Sequence, residues 1–272
     1  CEKPFTVTAD EALELTHRAQ QAGRKVCIAH TYTGYPMVRQ MRAMIAGGEV
    51  GAVQKIDVQY YQGWINPALH DAAIRQSIWR LDPVRSGPSC CYGDIGVHAF
   101  NLAEYTTGLR ITRVLADLDG LRSGNALDVD GTTLFRTEGG VHGLLRASQI
   151  ATGEENSVQI AVYGSSGALK WNHEAPALLT HLREGAPPQL FTPGHPFNAG
   201  LARTASQLPP GHPQGLVEAM ANIYRGFADA LDGVPGAEER YPGTEAGVRG
   251  MRFLEAVLAS NRAAQAWVEI EA

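Results

Sequence analysis

Residues 111–183 carry six apolar runs with no helix between them: ITRVLADLDGL at 111–121, GTTLFRT at 131–137, VHGLLRASQ at 141–149, SVQIAVY at 157–163, GALKW at 167–171 and LLTHLR at 178–183. Several are joined by glycine-rich turns. Successive strands without intervening helices predict a mostly antiparallel sheet. Upstream, Thr8-Ala9-Asp10-Glu11 is a capping box that starts a helix running to Gly23. Val26 to Ala29 is a short apolar run that predicts a buried strand. Pro36 opens a second helix, with Met37, Val38, Met41, Met44 and Ile45 on one face and Gly47-Gly48 at its end. From Val53 to Gln62, Ile56, Val58 and Tyr60 alternate with Lys55, Asp57 and Gln59, a half-exposed strand.

Residues 64–92 have three prolines and little periodicity, predicting a long loop or short helices, and 93–107 predicts a helix ending at Gly108. The proline-rich stretch 185–212 reads as an extended arm. Two helices follow, one carrying Leu216, Met220, Ile223, Phe227 and Leu231, the other Val248, Met251, Leu254 and Leu258. Trp267 to Ile270 predicts a last strand. The fold class is α+β, a large open antiparallel sheet with helices on one face.

The 272 residues suit one or two domains and a full core without staples. Lys and Arg number 23 against 28 Asp and Glu, a net charge of −5, which argues against nucleic acid and anionic membrane as partners. No apolar run approaches the ~20 residues of a membrane span. Four cysteines are too few for a disulfide scaffold, and adjacent Cys90 and Cys91 make a poor zinc pair. A soluble protein of a reducing, cytoplasmic compartment is expected. The chain begins at Cys1, which reads as a lipoprotein start, a processed start or the first residue of a fragment; the fragment is the expectation.

Asp94 and His98 are four apart, so on a helix both project from one face. A carboxylate beside an imidazole forms an acid–base pair for work near neutral pH. The plainer alternative is a helix cap and a half-buried histidine. A metal site lacks its further ligands, so none is expected. Lys3 by itself reads as a solvated charge. Trp79-Arg80 is a stacking and hydrogen-bonding pair suited to a sugar or nicotinamide ring, or a core tryptophan with a surface arginine. His30, Tyr32 and Tyr35 follow a predicted strand, Gln62 and Trp64 end another, and His212 precedes a helix. All are candidate substrate contacts or simple packing and turn residues. No GxGxxG follows a strand, so this chain has no usual phosphate cradle.

Taken in order, these segments resemble the Gfo/Idh/MocA oxidoreductases. Glu2-Lys3-Pro4 matches that family's Glu-Lys-Pro near the end of its Rossmann domain. Tyr32 to Pro36, Gly48 to Gly51, and the Asp94, Gly96, His98, Leu102 helix match later motifs. Glu154-Glu155-Asn156, Val162-Tyr163-Gly164 and Gly167-Ala168-Leu169-Lys170-Trp171 are similar to the sheet strands of one subgroup. Leu208 to Gly215 resembles its Pro-x-Gly-His-Pro-Glu-Gly segment, with Gln214 where glutamate is common. The resemblance implies that residues 1–30 are the remnant of a Rossmann dinucleotide-binding domain and 31–272 an α/β substrate-binding and oligomerisation domain. It implies hydride transfer between NAD or NADP and a secondary alcohol or ketone of a sugar, sugar derivative or cyclitol. Lys3, Asp94 and His98 become catalytic, Asp94 orienting His98. Glu2, Lys3, Pro4, Trp79 and Arg80 become cofactor contacts, and the open sheet face a homo-oligomer interface. The competing expectation is a non-catalytic carbohydrate-binding or assembly module that has lost its Rossmann partner.

Overall fold

The computed structural model describes residues 1–120 and 127–271. The chain opens with α1 (Ala9–Gln21), whose Thr8 hydroxyl accepts from the Glu11 amide while the Glu11 carboxylate reaches back, the expected capping box. Residues 26–29 form no strand and belong to no sheet. The Cys1 amine donates to Cys27 O (2.7 Å), Ala29 N–H to Cys1 O (2.9 Å) and Ile28 N–H to Pro242 O (2.8 Å). The predicted strand at 26–29 is therefore corrected. Cys27 and Ile28 are buried and Val26 and Ala29 half-buried, but the backbone partners of the run are the chain start and a loop.

A 3-10 turn (Thr31–Gly34) leads into α2 (Pro36–Ala46) and then β1 (Val53–Tyr61). Three short helices follow, α3 (Asn66–His70), α4 (Ala72–Ser77) and α5 (Pro83–Ser86), and then α6 (Val97–Thr107). The sheet continues through β2 (Ile111–Gly120), β3 (Asp128–Thr137), β4 (His142–Ser148), β5 (Ser157–Gly164), β6 (Ala168–Asn172) and β7 (Leu179–Leu182). The expected strand at 111–121 ends at Gly120, and its last residue lies outside the described residues. The proline-rich arm contains a short strand, β8 (Gln189–Phe191), and a helix, α7 (Gly200–Ala205). Helices α8 (Leu216–Leu231) and α9 (Thr244–Arg262) precede β9 (Val268–Glu269).

The described strands form one nine-stranded sheet, ordered β8-β7-β6-β5-β1-β4-β3-β2-β9. Every pairing is antiparallel except β1 with β4, which run parallel from Lys55 opposite His142 to Tyr61 opposite Ser148. Helices α2, α6 and α9 pack on one face. Alternation in β1 sends Ile56, Val58 and Tyr60 inward, each nearly solvent-free, while Lys55, Asp57 and Gln59 face out. The core between the layers includes Phe100 stacked on Phe253, ring centroids 4.3 Å apart. Gly143 lies under Phe135, where a Cβ would stand 2.0 Å from the ring. The other face is uncovered and mixed: Leu115, Leu134 and Leu144 lie side by side on it, next to a hollow of about 410 Å³ bordered by Asp57, Gln59, Arg146, Gln159 and Lys170.

Candidate active site

Asp94 sits in a single π-helical turn (Tyr92–Gly96) that opens α6. The turn is held from outside. The Asp128 carboxylate accepts from the amides of Cys90 (3.0 Å) and Tyr92 (2.7 Å), and Ser89 Oγ accepts from Gly93 N–H (2.9 Å). Lys3 Nζ then lies 2.6 Å from both the backbone oxygen and Oδ1 of Asp94. The second oxygen, Oδ2, forms an ion pair with Arg80 Nε (3.1 Å) and accepts from Gln149 Nε2 (2.9 Å). Two cations and an amide thus share one partly buried carboxylate, fixing Lys3 across 91 residues of sequence.

His98 lies on the first turn of α6 and is 9% exposed. Its ring meets those of His30 (5.3 Å), Tyr32 (5.2 Å) and Tyr60 (6.2 Å). Burial, then the nearby charges of Lys3 and His30, hold its pKa well below the usual 6.5. Burial and then Lys3 push His30 down to about 3. Both imidazoles are therefore neutral at neutral pH, and each has a buried Nδ1 without a hydrogen-bond partner. The expected pairing of Asp94 with His98 is absent. The wider π turn breaks the four-residue register that would stack them, and Asp94 turns to Lys3, Arg80 and Gln149 instead.

A cavity of about 320 Å³ is lined by Lys3, Tyr60, Gln62, Trp64, Arg80, Asp94, Ile95 and His98. A second, of about 300 Å³, shares Lys3, Arg80 and Asp94 and adds Pro4, Trp79, Met251 and Leu254. The Arg80 guanidinium stacks over the Trp79 indole at 4.5 Å. Behind the first cavity runs a polar chain. Tyr32 OH donates to Tyr60 OH (2.8 Å), which donates to Asn156 Oδ1 (2.5 Å); Asn156 Nδ2 lies 3.2 Å from His173 Nδ1, whose Nε2 meets Tyr35 OH at 2.9 Å.

The structure brings Lys3, Asp94, His98, Arg80, Gln62 and Trp64 together around one cavity. His30 and Tyr32 stand behind His98, buried, as its packing partners. Pro4 and Trp79 border the second cavity, and Glu2 is exposed. His212 is not part of the cluster: it is exposed, its Nδ1 facing the carbonyls of Pro209 and Pro210. Gln149, Asn156 and His173 went unnoticed as site residues in the sequence, and Tyr60 was visible only as the third inward residue of a strand. Among the described residues, no three His, Cys, Asp or Glu side chains form a metal set. No described helix is long and apolar enough to cross a membrane.

Residues 38–170 match the family described as GFO/IDH/MocA C-terminal domain. An uncharacterized oxidoreductase, YfiI of Bacillus subtilis, is 30% identical over the whole chain, which spans 71% of that protein. The chain belongs to the Gfo/Idh/MocA oxidoreductase family. Among solved members, an inositol dehydrogenase homolog from Azotobacter vinelandii, complexed with NADH and myo-inositol, is 33% identical. It superposes with a TM-score of 0.88 over 99% of this chain and 70% of its own. Levoglucosan dehydrogenase of Pseudarthrobacter phenanthrenivorans is 25% identical over 74% of the chain and 57% of the relative. The open nine-stranded sheet with helices on one face is thus the Gfo/Idh/MocA architecture, and its relatives are nicotinamide-dependent oxidoreductases.

Proposed function

We propose that this chain is the catalytic and substrate-binding part of an NAD(P)-dependent oxidoreductase acting on a secondary alcohol or ketone of a sugar, sugar derivative or cyclitol. The observation that carries the reading is a buried, neutral imidazole, His98, sharing a polar cavity with a lysine pinned by a carboxylate. Residues 1–30 are then the last piece of a Rossmann domain, and 31–272 the substrate and oligomerisation domain, with the open sheet face the oligomer contact. Levoglucosan and myo-inositol, bound by relatives, mark the substrate class.

The second cavity suits the nicotinamide end of the cofactor, because the Trp79 indole and Pro4 offer apolar surface beside the donors of Lys3 and Arg80. Lys3, Pro4, Trp79 and Arg80 would hold a nicotinamide there, which would supply the hydride acceptor; Glu2, exposed, lies outside that lining. The substrate hydroxyl sits between Lys3 and His98. Lys3 donates to its oxygen and favours the developing alkoxide, and His98 takes its proton at Nε2, because Nδ1 is sealed inside the protein. The carbon's hydride leaves as the carbonyl forms, so one bond to hydrogen breaks on each atom. Asp94 positions Lys3, and Gln62 and Trp64 border the rest of the ring; Trp64 Nε1 already donates to Gln62 Oε1 (3.0 Å).

The test is steady-state kinetics of the full-length protein with NAD+ and NADP+ across cyclitols and anhydro- and pyranose sugars. His98→Gln should lower kcat/KM by about 10²–10⁴-fold while cofactor affinity and melting temperature hold. A variant turning over at the parent rate, or a parent inert toward every polyol, overturns the reading.

A further inference from the structure

We infer that a second binding site, for a phosphate-class oxyanion, lies in the cleft between α2, α7 and α8, built around Arg39, Arg225 and Arg240. The cleft holds about 510 Å³ and its walls are polar: Ser206, Gln207 and Asn222 stand beside the three arginines, with Asp229 the single carboxylate.

Two arginines of the interior or its edge are each neutralised by a carboxylate. Arg249, 7% exposed at its side chain, has the Glu104 carboxylate at 2.7 Å. Arg240 has Asp229, also at 2.7 Å. Arg39 is 2% exposed, yet it stands in no ion pair among the described residues. Its guanidinium donates only to neutral oxygens, Nε to Thr33 O (3.0 Å) and Nη2 to Arg240 O (2.8 Å), with the Tyr105 phenol alongside. A buried cation without a counter-charge is costly, and burial lowers its pKa accordingly. Arg225, exposed on α8 at the cleft, is also in no ion pair among the described residues. The lining therefore carries three positive charges against one negative. A tetrahedral oxyanion supplies the missing counter-charge and enough acceptors for forked guanidinium donors.

The cleft backs onto the catalytic machinery. Arg39 holds the carbonyl of Thr33 and Asn222 Nδ2 that of Gly34 (3.0 Å), so two lining residues brace the 3-10 turn that presents Tyr32 to His98. This inference is independent of the hydride-transfer reading.

The experiment is calorimetric titration of the full-length protein, run with and without excess NAD+ so that any shared dinucleotide phosphate contact shows as competition. Inorganic phosphate and a hexose phosphate form two arms, with chloride at matched ionic strength as control. One saturable site per chain is expected. Arg225→Ala should weaken it on the order of tenfold, the effect of losing a charge-assisted hydrogen bond. Asp229→Asn should tighten it, because it removes the one repelling charge. If inorganic phosphate binds, the free ion suffices; if only the hexose phosphate binds, the site belongs to a phosphorylated metabolite. Absence of saturable binding in both arms, equal competition by chloride, or indifference to both substitutions overturns the proposal. So does burial of the cleft by an acidic segment of a partner chain in the assembled protein.

Discussion

His30 and His98 are both kept neutral by burial, and both sit within the field of Lys3. Unfolded, each takes a proton near pH 6.5; folded, His30 resists to about 3. The unfolded chain therefore binds more protons as the pH drops below 6.5, and native stability falls through that window. Melting temperature should decline steadily from pH 6.5 toward 4, and His30→Gln should flatten that decline. Lys3→Met removes a charge that holds His98 down, so its NMR titration should move up toward the ordinary range. Catalysis makes a matching prediction: the acid limb of kcat/KM should fall well below pH 6.5 in the parent protein. At this scale the sequence was readable where motifs are local. Asp94 and His98 share a helix start, and Lys3 was legible through Glu2-Lys3-Pro4. The partner of Asp94 was read as His98, not Lys3, because a spacing of four assumes α-helical register and the turn at Tyr92–Gly96 is π. Gln149 had no signal at all, since a lone glutamine past a strand acquires meaning only when folding places it 2.9 Å from Asp94.

The elements most exposed to single substitutions are the two turns behind the site. A Cβ at Gly34 would lie 2.0 Å from the Ala219 carbonyl oxygen, with backbone that cannot swing aside. Gly34→Ala should cost about 1–3 kcal/mol, read by chemical denaturation, and should loosen the packing of Tyr32 on His98. Asp128→Ala would leave the amides of Cys90 and Tyr92 without acceptors, a loss of about 1–3 kcal/mol for each buried donor. It should lower kcat more than cofactor affinity, because it frees the turn that carries Asp94. Elements with strict alternation or a cap were legible: β1 from Ile56, Val58 and Tyr60, and α1 from its Thr8–Glu11 box. Residues 26–29 were not, because an apolar run tells of burial and not of which backbone it will pair with. The helix and strand hidden in the proline-rich arm, α7 and β8, are too short for periodicity to reveal.

At the scale of the molecule, the antiparallel sheet was legible from six consecutive strand runs, but its one parallel pairing was not. β1 sits between β4 and β5, with β2 and β3 leaving the centre toward one edge and β6 to β8 toward the other. That placement has a consequence for biosynthesis. As the chain emerges N-terminus first, β1 is complete at Tyr61, yet both its edges stay bare until Ser148 and Gly164 have been made. The inward row of Ile56, Val58 and Tyr60 can meet α6 once Thr107 is made, but the backbone edges of β1 stay unpaired through that interval. Nascent chains arrested near residue 140 should bind holdase chaperones or aggregate, while chains arrested beyond residue 170 should resist protease around β1. Pulse-labelled hydrogen exchange on refolding should find the β1 amides protected late, after the β2–β3 hairpin. The strand made first in the sheet is thus the one that waits longest for its first partner.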